Sequence, residues 1–139
     1  MVTEKQFEAG DIPHLSTEQM REVDRAMIED YGITLIQMME NAGRNLAALA
    51  RQRFLDGDPV GKQVIVLAGK GGNGGGGLVC VRRLHGWGAE VRVFLGANAE
   101  EFRGVPATQL EIVEKLGVPI RSWCDLSEQR DSHNSEFRP

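Results

Sequence analysis

The fold of this chain is decided between Gln63 and Val79, where the sequence is QVIVLAGKGGNGGGGLV. Residues 63–68 form a short β-branched apolar run, which is typical of a parallel strand buried on both faces. Seven of the nine residues 69–77 are glycine, a local excess in a chain that has 17 glycines among 139 residues. Apolar residues at helical spacing follow and end near Gly86. The stretch therefore predicts a strand, a glycine-rich loop and a helix in immediate succession.

Two helices are expected before this stretch. Ser16 is followed by Gln19, and Thr34 by Gln37, and both pairs have the capping-box spacing that begins a helix. Apolar residues recur at helical spacing after each pair, and Gly32 suits the end of the first helix. The sequence thus predicts two leading helices ahead of the first strand.

Strands and helices continue to alternate after the stretch. Residues 90–95, EVRVFL, predict a second strand, Pro106 suits the first turn of a further helix, and a third strand begins within residues 118–120. Helical crossovers between such strands imply parallel βαβ units. We therefore expect an α/β protein: a three-layer α/β/α Rossmann-like domain with a mostly parallel sheet, two leading helices and an incomplete second half.

Length and composition indicate one domain and exclude several classes of protein. The domain is expected to span residues 15–123, between a flexible segment, residues 1–14, and a polar tail, residues 124–139. The sequence has no apolar run of transmembrane length and no signal-peptide pattern, so we expect a cytoplasmic protein without membrane contact. Cys80 and Cys124 are isolated, which argues against a zinc site and a disulfide framework.

The charge of the chain is unevenly distributed. The net charge of −4 argues against a nucleic-acid partner. Residues 61–95, however, carry five basic side chains and one acidic side chain, a net charge of +4 around the glycine stretch. This segment suits a phosphate-bearing ligand, although solvated helix faces would produce the same bias. Charge alone leaves both interpretations open.

The glycine stretch has the context of an anion site. A strand, a glycine turn and a helix place free backbone N–H groups and the positive end of the helix dipole at one sheet edge. Gly69, Gly71 and Gly74 match the pattern GxGxxG. A conventional dehydrogenase is not expected, because Glu90 lies at the start of the second strand and Glu100 beyond its end. A Walker A loop is excluded, since no Gly-Lys-Ser/Thr follows the glycines.

Lys70 and Asn73 provide the side chains of this stretch. The amide of Asn73 can exchange hydrogen bonds with a ligand or offer its carbonyl oxygen to a hard cation. An asparagine among glycines also suits a left-handed turn. Both roles stay open, as does a tight glycine turn that binds no ligand.

Three motifs in this order resemble the YjeF N-terminal domain family, which is represented by NAD(P)H-hydrate epimerase and the apolipoprotein A-I-binding protein. Residues 69–79, GKGGNGGGGLV, resemble the family loop GPGNNGGDGLV. Residues 38–44, MMENAGR, resemble its helix signature LMENAGR, and residues 15–24 resemble its opening helix. The resemblance spans residues 15–118.

The resemblance implies a domain that recognises NADHX or NADPHX, the hydrated forms of the nicotinamide cofactors. Family enzymes interconvert the R and S epimers, so that a dehydratase specific for one epimer can repair the whole pool. The family's substrate-binding stretch falls on Gly72, Asn73, Gly74, Gly75 and Gly76, and its potassium ligand falls on Asn73. A potassium ion is therefore the expected cofactor. The family also includes dimerising scaffold domains, so a homodimer is admitted.

Two departures from the family pattern bear on catalysis. Gly72 and Gly76 replace an asparagine and an aspartate of the family loop. The family's D-A-x-x-G-T-G motif, which contributes the proposed acid/base, is not found, since Asp125 lacks the glycines. The histidines at 14, 85 and 133 are not placed for catalysis, so no catalytic residue is assigned.

These departures leave three hypotheses. The first is an epimerase-like protein that is truncated at its C-terminal side and whose activity the missing motif calls into question. The second is a non-catalytic nucleotide-binding or dimerising scaffold of the same fold. The third is a small phosphate-binding α/β domain unrelated to cofactor repair.

Overall fold

The computed structural model describes residues 14–122, which divide into two compact units between Thr34 and Leu35. The first unit contains helix α1 (Thr17–Glu29). The predicted capping box is confirmed, because the Ser16 side chain accepts a hydrogen bond from the backbone N–H of Gln19 while the Gln19 side chain accepts one from that of Ser16. The helix ends before Gly32, whose positive φ of 68° is favoured by glycine.

The second unit, from Leu35 onward, alternates helices and strands. Its elements are α2 (Leu35–Phe54), β1 (Gln63–Ala68), α3 (Gly72–Gly86), β2 (Glu90–Leu95), a short 3-10 turn (Ala99–Glu101), α4 (Gly104–Lys115) and β3 (Ile120–Ser122). The spans predicted for the first two strands are confirmed residue for residue. The third strand begins at Ile120, two residues later than its earliest predicted start. The α/β class with a parallel sheet is thereby established.

The three strands form one parallel sheet in the order β1-β2-β3. Ala68, Leu95 and Ser122 are neighbours across the sheet, so the strands end at a common carboxyl edge. The backbone N–H of Gly96 donates to the carbonyl oxygen of Ala68 at 2.9 Å, which extends the pairing beyond β2. The segments that follow β1 and β2 therefore leave the sheet side by side.

The two faces of the sheet differ in burial. Ala68, Val91 and Val93 on one face join a core cluster with apolar residues of α2, α3 and α4. On the opposite face, Ile65 and Leu67 are 63% and 67% exposed. The expectation that residues 63–68 form a strand buried on both faces is therefore wrong. Residues 35–122 contain the sheet and the helices on one of its faces, which agrees with a three-layer domain whose second half is incomplete.

Helix α3 lies at the centre of the second unit. Its apolar side chains at Leu78, Val79, Val81 and Leu84 are at most 1% exposed. Helix α2 crosses it at Gly43, where an added Cβ would lie 2.4 Å from the Cβ of Val79. A glycine at this point allows the two helices to approach closely. This contact gives a packing reason for the glycine in the MMENAGR segment.

Some predictions concern residues outside the range 14–122. The flexible segment 1–14 and the polar tail 124–139 lie almost wholly there, as do Cys124, Asp125 and His133. Among the residues that the structure describes, no helix has the length and apolar character needed to cross a membrane.

Candidate functional site

The glycine stretch is largely helical, contrary to the prediction of a loop from residue 69 to 77. Helix α3 begins at Gly72, and Gly71 precedes it with an extended backbone. The first helical hydrogen bond runs from the N–H of Gly75 to the carbonyl oxygen of Gly71 at 3.0 Å. The N–H groups of Gly72, Asn73 and Gly74 precede this ladder and point out of the helix N-terminus. They form the predicted anion-binding arrangement.

Two glycines of the stretch are required by close contacts. A Cβ on Gly74 would lie 1.6 Å from the carbonyl oxygen of Gly69. A Cβ on Gly75 would lie 2.5 Å from the sulfur of Met39. Glycine at these positions lets the turn after β1 close onto the first turn of α3 and lets α2 pack beside it.

Two other glycines face open space. A Cβ added to Gly72 or Gly76 would meet no atom within 4 Å beyond its own helical surroundings. The two positions are one helical turn apart, so they share a face of α3. Gly74 and Gly75 thus serve packing, whereas exposed Gly72 leaves room beside the N–H groups and buried Gly76 has open space in the direction of its missing Cβ. Substrate binding by residues 72–76 stays a prediction.

Asn73 is the second residue of α3 and is exposed. Its alternative role as a left-handed turn residue is wrong, because Asp56 is the one non-glycine residue with positive φ within residues 14–122. Its position places it among the N–H groups of the helix N-terminus, and its contact with a ligand stays a prediction.

The expected potassium ion needs more oxygen ligands than these side chains provide. Residues 14–122 contain no group of three or more histidine, cysteine, aspartate or glutamate side chains that could hold a metal. The glycines at 72 and 76 add no side-chain oxygen next to Asn73. The potassium ligand at Asn73 stays a prediction.

Lys70 and Glu101 form an ion pair beside the site. The Lys70 Nζ lies 2.5 Å from the Glu101 Oε2, and the Glu101 Oε1 accepts a hydrogen bond from the backbone N–H of Asn98 at 3.2 Å. The hydrogen bond from Lys70, followed by that from Asn98, lowers the pKa of Glu101. Glu101 is a site residue that the motifs do not indicate, although the Asn98-x-x-Glu101 capping-box spacing is a signal that its carboxylate is fixed.

An apolar cleft of about 330 Å³ adjoins the glycine turn. It lies at the carboxyl edge of β1 and β2, and its lining residues are Leu67, Ala68, Gly69, Phe94 and Gly96. This volume is within the range of small-molecule sites. Its walls suit a planar ring rather than a charged group. The cleft was not predicted, because Leu67 was expected to be buried.

A polar network joins the three helices on the other side of α3. Glu40 accepts hydrogen bonds from Arg82, from Arg83 at 3.2 Å and from Gln109 at 3.4 Å. The Gln109 side chain is fully buried, and its Oε1 has no hydrogen-bond partner in the part of the chain that the structure describes. The network links α2, α3 and α4, which gives the glutamate of the MMENAGR segment a structural role.

Other candidate reactive groups lie away from the N–H groups or are inert. His85 is half-buried in the last turn of α3, and His14 is exposed before α1. Cys80 is a buried free thiol, and burial raises its pKa to about 11, so it stays protonated at neutral pH. None of these three groups is therefore assigned as an acid/base.

Comparison with known proteins identifies similar chains. Residues 35–136 match the family model described as YjeF-related protein N-terminus. The chain is 46% identical over 98 residues to the NAD(P)H-hydrate epimerase of Dehalogenimonas lykanthroporepellens. The aligned region covers 70% of this chain and 39% of that protein. It is 41% identical over 99 residues to the bifunctional NAD(P)H-hydrate repair enzyme Nnr of Moorella thermoacetica, covering 71% of this chain and 18% of that enzyme.

A solved structure agrees with these matches. The crystal structure of yeast ynu0 superimposes with a TM-score of 0.68 at 34% identity, covering 80% of this chain and 47% of the yeast chain. The chain thus spans less than half the length of these relatives.

Proposed function

This chain belongs to the family of YjeF-related protein N-termini. From that premise we propose that it is an NAD(P)H-hydrate epimerase-like protein. We propose further that it binds NADHX or NADPHX at the N-terminus of α3. The proposal rests on the three backbone N–H groups of Gly72, Asn73 and Gly74. They precede the hydrogen-bond ladder of α3, shortly after the parallel strand β1. Such groups bind the pyrophosphate of dinucleotides in related α/β folds.

The surroundings of the N–H groups support a dinucleotide rather than a small anion. Residues 61–95 carry a net charge of +4 in the sequence, but the fold pairs four of their basic side chains with acidic residues outside the segment, namely Lys62, Lys70, Arg82 and Arg83. The attraction for a phosphate-bearing ligand therefore rests on the backbone N–H groups of the helix N-terminus. The cleft between Leu67 and Phe94 opens beside Gly69 and offers apolar contact to a ring of the same ligand. Gly72 is exposed at the start of α3 and has open space beside it, which leaves a ligand access to the helix N-terminus.

The proposed reaction is the interconversion of the R and S epimers at the hydrated ring carbon. Proton transfer at or beside this carbon needs an acid/base within hydrogen-bond reach. Lys70 and Glu101 are the ionisable groups beside the glycine turn, and each holds the other in an ion pair. The acid/base of the proposed reaction therefore stays unassigned. Potassium binding at Asn73 and a cytoplasmic location belong to this proposal.

A second candidate function is a nucleotide-binding or dimerising module without turnover. The observation that favours it is the pair of glycines at 72 and 76, which leave open space where the family pattern has polar side chains. In this case the N–H groups bind the dinucleotide, but no side chain of that helix face acts on its ring.

A coupled assay tests the proposed reaction. The purified 139-residue chain is added to R-NADHX or R-NADPHX together with a dehydratase that consumes the S epimer. We expect faster consumption of the R epimer, and loss of most of that acceleration in Asn73→Ala. Asn45→Ala, which removes an exposed asparagine from α2, serves as the matched control and is expected to keep the acceleration.

The outcomes separate the two candidates. Circular dichroism first establishes that both variants are folded. A folded chain that does not accelerate the assay but binds NAD⁺ or NADP⁺ saturably supports the module instead of the enzyme. A folded chain that neither accelerates the assay nor binds either dinucleotide overturns both candidates.

A further inference from the structure

The ion pair between Lys70 and Glu101 lies where the segments after β1 and β2 leave the sheet together. Ala68 and Leu95 are paired across the sheet, and the N–H of Gly96 continues the pairing to Ala68. Lys70 lies in the turn after β1, and Glu101 lies in the short 3-10 turn after β2. Their side chains close the gap between the two segments, with 2.5 Å between Nζ and Oε2.

Two contacts fix the Glu101 carboxylate in this position. One oxygen accepts the backbone N–H of Asn98, and the other accepts the Lys70 ammonium. The side chain is 44% exposed, so it remains accessible to a ligand. The negatively charged Glu101 carboxylate is thus held in the 3-10 turn that follows β2. It contacts Lys70, which lies in the turn that leads into α3.

A carboxylate at this place has a known chemical consequence for dinucleotides. In βαβ sites, an acidic residue after the second strand accepts hydrogen bonds from the ribose 2′-hydroxyl and repels a 2′-phosphate. Glu101, like Glu100, lies beyond the end of β2, which ends at Leu95. What distinguishes Glu101 is its ion pair with Lys70, which brings its carboxylate to the turn after β1.

We propose that Glu101, oriented by Lys70 and the Asn98 backbone, makes this site select the dinucleotide with a free 2′-hydroxyl, NADHX, over its 2′-phosphorylated form, NADPHX. This inference rests on the proposed function and deepens it. Lys70 contributes by pairing with Glu101, because an ammonium engaged by a carboxylate does not attract a further phosphate strongly. If the charge of the Glu101 carboxylate is removed, the ion pair is lost. The Lys70 ammonium is then free to pair with the 2′-phosphate.

Calorimetric titration with NAD⁺ and NADP⁺ tests the selection. These stable dinucleotides carry the same ribose groups as the hydrated substrates. We expect the unmodified chain to bind NAD⁺ about three- to tenfold more tightly than NADP⁺ in low salt. Glu101→Gln is expected to increase the affinity for NADP⁺ by a similar factor and to change that for NAD⁺ by about twofold or less.

Glu111→Gln is the matched control. Glu111 forms a more exposed pair with Lys115 on α4, at 2.6 Å, and its loss is expected to leave both affinities unchanged. Equal affinities in the unmodified chain, or an equal change for both dinucleotides in Glu101→Gln, would overturn the inference while leaving the proposed function intact. A folded chain that binds neither dinucleotide overturns the proposed function and the inference with it.

Discussion

Gly74 is the single residue on which the closure of the α3 N-terminus depends. A Cβ at this position would lie 1.6 Å from the carbonyl oxygen of Gly69, a contact that only a backbone shift can relieve. Gly76, two residues further along the same helix, has open space in the direction of its missing Cβ. The same residue type thus has opposite consequences within one turn of helix.

We expect Gly74→Ala to lower the free energy of unfolding by about 2–3 kcal/mol or more, because a methyl group is forced against the backbone. Gly76→Ala is the matched variant and is expected to raise it by about 0.5–1 kcal/mol, because alanine favours the helix and meets no neighbour. Urea unfolding measures both. Similar effects of the two substitutions would contradict the packing described for the glycine turn.

The residues of the site differ in how far their roles can be predicted from the sequence. The glycine excess and its position after an apolar strand are sufficient to predict an anion site. The distinction between Gly74 and Gly76 is not accessible in this way, because the deciding contact, between the Cβ position of Gly74 and the backbone of Gly69, forms only after the chain has folded. Glu101 was missed for the same reason, since its partner Lys70 is 31 residues away.

At the scale of elements, apolar patterning predicts the strand spans more reliably than helix propensity predicts the start of α3. The spans of β1 and β2 follow from the sequence because short β-branched runs leave little alternative, whereas the exposure of one face of β1 does not. The start of α3 was placed too late, because glycine disfavours helix by about 1 kcal/mol per residue relative to alanine. Tertiary packing overcomes this cost: Gly74–Gly77 are buried within the second unit, and glycine allows the close approach of α2.

The crossing of α2 and α3 provides a test at this scale. Gly43→Ala is expected to lower the free energy of unfolding by at least about 2 kcal/mol, because the new methyl group would lie against Val79 and the carbonyl oxygen of Gly76. Gly86→Ala, at the exposed end of α3, meets no neighbour and is expected to change it by less than about 0.5 kcal/mol. Chemical denaturation measures the free energy of unfolding of both variants. An unchanged value for Gly43→Ala would show that α2 and α3 separate at little cost in free energy.

At the scale of the whole molecule, one face of the sheet determines the behaviour of the 139-residue chain in solution. Ile65 and Leu67 are exposed on β1, which is an edge strand of the sheet. Its sequence, QVIVLA, has neither proline nor a charged residue to oppose pairing with another strand. The homodimer admitted by the sequence thus has a candidate surface, although the sequence could not identify it because both faces of β1 were expected to be buried.

We predict that the 139-residue chain self-associates at micromolar concentrations through β1 and the exposed face around it. Ile65→Thr keeps the β propensity of the strand but removes apolar area from both copies, so it is expected to weaken association by about tenfold or more. Phe54→Ser removes a more exposed apolar side chain, 77% accessible, from the end of α2 and serves as the control with unchanged association. Sedimentation velocity over a concentration series measures both effects. If the unmodified chain remains monomeric at all concentrations, exposure of this face does not drive assembly. An equal effect of the two substitutions would show the same.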